Sequence, residues 1–352
     1  MTTILVKDTL RKSVEAASGG KQTIIYTKKG QPSFMNILEK FDISTIDTTL
    51  SGTHPAFIVD GVEKDVIYVG TYKGSISKGE LVSQPYQAPM KDYYQNLISY
   101  ARAAGKGFHV YTMAERAAIN ALSKKASATV LGAVLPNGSS QIDETQKALL
   151  DSSGKLKNGS GPISFRHDNS FTGVSDLIGG GSELISGFRM FNFELQMLEN
   201  NNAASDLFDL SYDSNDWRCI DGASSSFVPH TQGSVTSGSV RFFNERMEPY
   251  SFSFNDDSGL YITVSSAIKK YGTNAVVSDD VINYLRKIGF IPHAGFKSVG
   301  EKYTVYPTGI ASFPIVEWSP GSNGSDAGLH SLRFDQFDTL TQFFARPCFV
   351  NL

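Results

Sequence analysis

The stretch GSGPISFRHDNSFTGVSDLIGGGSELISGFRM, residues 159–190, constrains this chain more than any other. It reads as a turn, then a polar cluster of Arg166, His167 and Asp168, then a glycine-rich loop, Gly179-Gly180-Gly181, leading into residues 182–185. Runs of glycine punctuate a chain rather than extend a helix or strand. No Lys-Ser or Lys-Thr follows the triplet, so it is not a phosphate-cradling P-loop.

The composition suits that reading. Charged residues make up 19%, against roughly a quarter in an ordinary globular domain, while 32 glycines and 11% aromatics point to a loop-rich protein with β structure. Apolar residues reach 40%, enough for a real core, and 352 residues predict one large domain plus an appendage. Surfaces rich in Tyr, Ser, Gly and Asn also make adaptable contact faces. The net charge is −3, from 32 basic and 35 acidic side chains without a basic run, which argues against a nucleic-acid partner. Two cysteines, Cys219 and Cys348, are too few for a disulfide framework or a thiolate zinc site; both are expected as unbridged, buried small hydrophobes. No apolar leader follows Met1 and no run approaches the ~20 apolar residues of a membrane span. The expectation is a soluble protein made in a cytoplasm, without membrane insertion.

Local patterning predicts the elements. Residues 9–17 have weak helical spacing that Gly19-Gly20 terminates, and KQTIIYTKKGQPSFMNI reads as a hairpin turning at Lys29-Gly30. These first 50 residues carry too few apolar side chains for a core of their own, so residues 1–50 are expected to pack on the main domain or on another subunit as an attachment arm, with 51–352 the main domain. Strands are expected at 56–59 and 66–72 with a turn at Asp60-Gly61, a helix at 88–105, a short strand at FHVYT, and a helix over 113–125. Thr112 and Glu115 are spaced as a capping box for that helix. Residues 136–162 read as a long loop with a brief helix near 146–150; residues 187–199 alternate as strands; 279–288 is a helix with Ser278 as N-cap.

The chemistry-bearing residues do not assemble a catalytic pattern. His54, His109, His167, His230, His293 and His330 are dispersed with no i, i+4 pair, and no metal is expected. His109, His167 and His293 are expected buried and hydrogen-bonded to backbone, and Arg166 is expected to pair with Asp168. There is no nucleophile elbow, and the adjacent carboxylates Asp256-Asp257 and Asp279-Asp280 read as solvated or capping.

The 159–190 block resembles the central block of the C-type-lectin-like, sulfatase-modifying-factor-like fold. Phe165-Arg166-His167-Asp168-Asn169 stands where that family has Trp-Arg-His-Asp-Gly. Gly173-Val174-Ser175-Asp176-Leu177 and Glu183-Leu184 through Arg189 stand at its next two positions, with Leu184 in place of Trp. Further blocks follow in order: HPAFIVDGVEKDVIYVGTYKGS; Gly107-Phe108-His109 through Glu115; Gly289-Phe290-Ile291-Pro292-His293; and Ile310-Ala311-Ser312-Phe313-Pro314 through Ala345-Arg346-Pro347-Cys348-Phe349-Val350. The likeness spans about residues 50–352, and residues 14–20 resemble the amino-terminal arm of phage relatives.

The resemblance implies an α+β fold with an irregular antiparallel β core, two flanking helices and long loops, preceded by an arm. Some members bind calcium through the loop here replaced by Gly179-Gly180-Gly181; three glycines supply no carboxylate. Enzyme members oxidise a sulfatase cysteine with a reactive cysteine pair, which Cys219 and Cys348 do not match, so no catalysis and no cofactor are expected. Phage members display a closing loop, here Trp318, Ser319, Asn323, Ser325, Asp326, His330, Arg333, Asp335 and Phe337, which is the expected ligand-binding surface. The implied function is that of a virion protein, a receptor-binding tail fibre or tip that contacts a host-surface glycan or protein. The alternative is a capsid decoration or head fibre; in either case other virion proteins and a homotrimer are the expected partners.

Overall fold

The structure, a computed structural model, describes residues 2–242, 250–254, 267–273, 275–293, 301–305, 312–316, 328–336 and 341–352. The hairpin expected near the amino terminus forms from Gln22–Tyr26 and Pro32–Glu39, in register from Gln22 opposite Asn36 to Tyr26 opposite Pro32. Gly30 takes the positive φ of 76° that its tight turn requires. This hairpin does not stand apart. Pro32–Glu39 pairs antiparallel with Val66–Gly70, and the five-stranded sheet continues through Pro347–Phe349 to Phe108–Val110. The first 50 residues thus pack on the main domain, one of the two placements expected of them, through one sheet that joins the first and last parts of the chain. Helix α1 (Thr2–Ala17) lies against Gln22–Tyr26, where Thr23 Oγ1 donates to Glu15 at 2.6 Å.

The larger sheet has eleven strands and is antiparallel except where Glu301–Val305 runs parallel to Leu332–Gln336. Its central run is Arg218–Ile220, Glu194–Met197, Phe188–Phe191, Ser312–Val316 and Leu332–Gln336. The protein is thus a mixed helix-and-sheet structure, mostly antiparallel, with four helices among the described residues. One apolar cluster binds the two sheets: Leu38, Ile67 and Val69 on one side meet Phe188, Leu195 and Phe334 on the other. Phe188 stacks on Phe290 at 5.2 Å, with Phe334 tilted against both. Each such fully buried ring contributes on the order of 1.5–3 kcal/mol.

Local signals decide some elements and tertiary pairing overrides others. Helix α3 (Met113–Lys125) begins with both halves of the capping box: Thr112 Oγ1 accepts from the Glu115 amide, and Glu115 accepts from the Thr112 amide, each at 3.1 Å. Asp60 and Gly61 adopt φ of 53° and 72° and form the expected turn, but it joins Ile58–Val59 to Val62–Glu63. Pro55–Phe57 is a 3-10 turn, and the strand Val66–Gly70 pairs with Pro32–Glu39 instead. Helix α2 (Tyr94–Ala103) starts later than its apolar spacing suggests, because Asp92 pairs with Phe343 through two main-chain hydrogen bonds of 2.9 and 3.0 Å. No helix forms at 146–150; that stretch instead bridges Ser139 to Lys147 and Leu150 to Leu156 and buries Ala148 and Leu156 against Phe165. Helix α4 (Asp279–Lys287) receives no side-chain cap from Ser278. Asp279 and Asp280 in its first turn, and Arg286 and Lys287 in its last, complement its dipole instead.

Candidate functional site

The blocks at 107–115, 183–189 and 344–350 converge in the structure. Arg346, fully buried, donates Nε to Glu183 Oε1 at 2.9 Å and Nη2 to Glu183 Oε2 at 3.3 Å. Its remaining donors reach the Gly70 carbonyl at 2.9 Å and the Ser175 carbonyl at 3.0 Å. Lys73, also buried, points its ammonium at the Gly179 and Gly181 carbonyls, at 2.7 and 3.1 Å, and lies 4.0 Å from Glu183. Burial lowers the Lys73 pKa, and the Glu183 charge opposes that shift. A calcium ion does not fit the triple-glycine loop, because its inward carbonyls already accept from a resident cation.

The three glycines are required by this packing. Their φ angles are 76°, 66° and 116°. A Cβ at Gly179 would lie 2.4 Å from the Ala133 carbonyl oxygen, and one at Gly181 would lie 1.9 Å from the Phe344 ring. Gly181→Ala is expected to cost about 3 kcal/mol, from overpacking of ~1–3 kcal/mol and backbone strain of similar size. Urea unfolding checks this; an unchanged midpoint would mean that Phe344 is not pressed against the loop.

A second buried cluster is His109, Glu115 and Cys348, whose donor atoms all lie within 4.8 Å of one another. His109 Nδ1 faces the Gly107 carbonyl at 2.9 Å, and Nε2 faces Glu115 at 2.8 Å. With an acceptor at each ring nitrogen, the imidazole is held as a cation. Burial by itself lowers the His109 pKa, but the Glu115 charge and both hydrogen bonds outweigh it and raise it. For Glu115 burial raises the pKa; His109, the Thr112 amide and Asn201 together bring it below the usual value. A metal would need a neutral imidazole and a thiolate, whereas burial pushes the Cys348 thiol well up. The cluster is therefore suited to an ion pair that joins strand Phe108–Val110 to helix α3.

The cysteines and the other buried histidines described are similarly occupied by structure. Both cysteines are buried and unbridged. Burial and Glu194 push the Cys219 thiol far above its ordinary range, so neither sulfur is a ready nucleophile. Burial lowers His54 to about 3 and His167 to about 4, and each Nδ1 accepts a main-chain amide, from Ala56 at 3.2 Å and Val174 at 2.9 Å. His293 is buried but faces Asp47 at 3.2 Å rather than backbone, and the Asp47 carboxyl is held far below the usual range, chiefly by that contact. Arg166 and Asp168 do not pair. Arg166 donates to the Gly173 carbonyl at 2.8 Å, and Asp168 accepts the Ser170 amide at 3.0 Å.

Of the expected ligand surface, Trp318, Ser319, Asn323, Ser325, Asp326 and Phe337 lie outside the described residues. His330 is buried at 3% exposure beside Asn120, and burial drives its pKa well down, so it belongs to the core rather than to a displayed face. Its location follows from the turn at 328–331, where the Leu329 and Ser331 carbonyls accept from buried Arg116 at 2.7 and 3.2 Å. Arg333 is half-buried, and both it and Asp335 sit on strand Leu332–Gln336, opposite Ile315 and Phe313.

Two open grooves of about 570 Å³ occur among the described residues, one against α1 lined by Arg11, Glu15 and Tyr68, and another that no motif in the sequence announces. This second groove lies between residues 133–156 and residues 89–91 and 342–344, floored by Leu156 and Phe344. Only the glycine triplet hinted at it, by signalling a close approach without saying to what. No family model matches this chain, and no curated protein matches it either.

Proposed function

We propose that this chain is a structural protein of a bacteriophage particle, carrying a C-type-lectin-like domain that binds the host surface as a tail fibre or tip. The observation that carries this reading is the meeting of the separated sequence blocks. Glu183 of the central block grips Arg346 of the closing block, and Glu115 of the upstream block lies beside Cys348. Val350 donates to the Gly107 carbonyl at 3.0 Å, adding a third tie between chain regions far apart in sequence.

Binding rather than catalysis is favoured because the His, Cys, Glu and Asp side chains described above are engaged in structure. The display surface is proposed to be the segment linking Ser312–Val316 to Leu332–Gln336. These are antiparallel neighbours in the sheet, so the segment between them would rest on a fixed support. The amino-terminal region, with α1, is proposed to contact other virion proteins in a trimer.

The test is binding of the full chain to an array of bacterial surface glycans and to intact bacteria, with Trp318→Ala and Asp335→Ala variants alongside. Binding that falls about tenfold or more in the variants, with unchanged melting, supports the reading. Absence of any bacterial surface ligand overturns it. Antibody labelling of particles at the head rather than the tail would move the protein to the decoration class.

A further inference from the structure

We propose that the Phe344 groove is a second binding site, built for an amphipathic anion: a ligand with an apolar body and one carboxylate or phosphate. Its volume of about 570 Å³ falls within the range of small-molecule sites. The floor is Leu156 and Phe344, both buried, and Met90 and Leu150 supply apolar walls. Lys91 and Lys155 stand exposed at the rim, and among the described residues no carboxylate lines the groove.

The lining chemistry selects the ligand. A neutral sugar needs hydrogen-bond partners around its ring, and these walls offer few. An apolar body gains from covering Leu150, Leu156 and Phe344, at roughly 25 cal/mol per Å² of apolar surface removed from water. Lys91 sits 5.0 Å from the Phe344 ring centre, at the junction of apolar floor and solvent, where an anionic end would emerge. Among the described residues no carboxylate forms an ion pair with Lys91 or Lys155, although the Lys155 charge reaches Asp151 and adds to the lowering of its pKa that the Ser153 hydroxyl chiefly causes. Asp151 accepts the Ser153 and Lys155 amides within its own turn, at 2.8 and 2.9 Å. Asp92 accepts from the Tyr93 amide and from Asn96 at the start of α2.

The floor is also held in place before any ligand arrives. The Phe344 amide donates to the Ser182 carbonyl at 3.0 Å, its carbonyl accepts the Leu184 amide at 2.8 Å, and its ring lies so close to Gly181 that a Cβ there would come within 1.9 Å. Buried Lys73 lies 5.9 Å from the same ring. A rigid floor lowers the ordering cost of binding.

The site does not depend on the phage reading, and either can fail alone. The test titrates the full chain with 1-anilinonaphthalene-8-sulfonate, an apolar body bearing one anion, followed by fluorescence. One saturable site is expected, displaced by dodecanoate and dodecyl phosphate but not by uncharged decyl glucoside. Tighter displacement by the phosphate assigns a phospholipid-type headgroup, and tighter displacement by the carboxylate a fatty acid; both support the site. Lys91→Glu and Gln342→Glu, at exposed lining positions, are each expected to weaken binding about tenfold with unchanged melting. Unsaturable binding, equal displacement by the glucoside, or variants that titrate like the parent would overturn the proposal.

Discussion

Glu183→Ala is expected to lower the unfolding free energy by about 3–5 kcal/mol, the usual cost of removing one partner from a buried ion pair. Two buried cations depend on this carboxylate: Arg346, bonded through two nitrogens, and Lys73, 4.0 Å away. Without it their charges would rest on main-chain carbonyls and on Asp176, which lies near enough to influence both. The damage would also be distributed, since Arg346 ties the Gly70 and Ser175 carbonyls to the closing strand. Glu183→Gln keeps the shape and removes the charge, so it separates packing from electrostatics. Urea denaturation of both variants measures the effect. A loss below about 1 kcal/mol for the alanine variant would mean that the pair is offset almost entirely by its own desolvation.

Glu115→Gln is expected to cost about 3 kcal/mol and to change the shape of the stability–pH curve. The folded pKa of His109 is raised from its ordinary 6.5. Its stabilisation is therefore fully present below that value and is lost as the pH rises through the folded pKa. The folded pKa of Glu115 is lowered from 4.5, so its stabilisation is present above that value and is lost as the pH falls through the folded pKa. The pair should contribute most between about pH 4.5 and 6.5. His109→Gln should remove this pair's share of the alkaline decline. Urea midpoints across pH 4–9 for the parent and both variants provide the check. A parent curve unchanged by either substitution would show that His109 is neutral in the folded protein.

Both predictions concern residues that the sequence marks without explaining. Glu183 and Arg346 each fall in a recognisable block, but their partnership spans 163 positions, and nothing local announces it. His330 shows the converse. Its neighbours in sequence suggest a displayed loop, yet the carbonyls beside it are claimed by Arg116 from α3, which draws the turn into the core. The Phe344 groove was unreadable for a related reason, since its lining comes from four segments that no spacing rule connects.

The sequence by itself determined the elements whose cause lies within a few residues. The capping box of Thr112 and Glu115 starts α3, Asp60-Gly61 closes its hairpin, and the Lys29-Gly30 turn sets the pairing of the first two strands. Long-range pairing decided where α2 begins, why 146–150 is not a helix, and that Gln22–Tyr26 and Pro32–Glu39 share a sheet with Pro347–Phe349. Caps and turns are satisfied by the chain's own nearest amides, so their chemistry is written locally. Strand partners, buried charges and groove walls gain their energy from residues brought close by the fold, and weak local propensity yields to them.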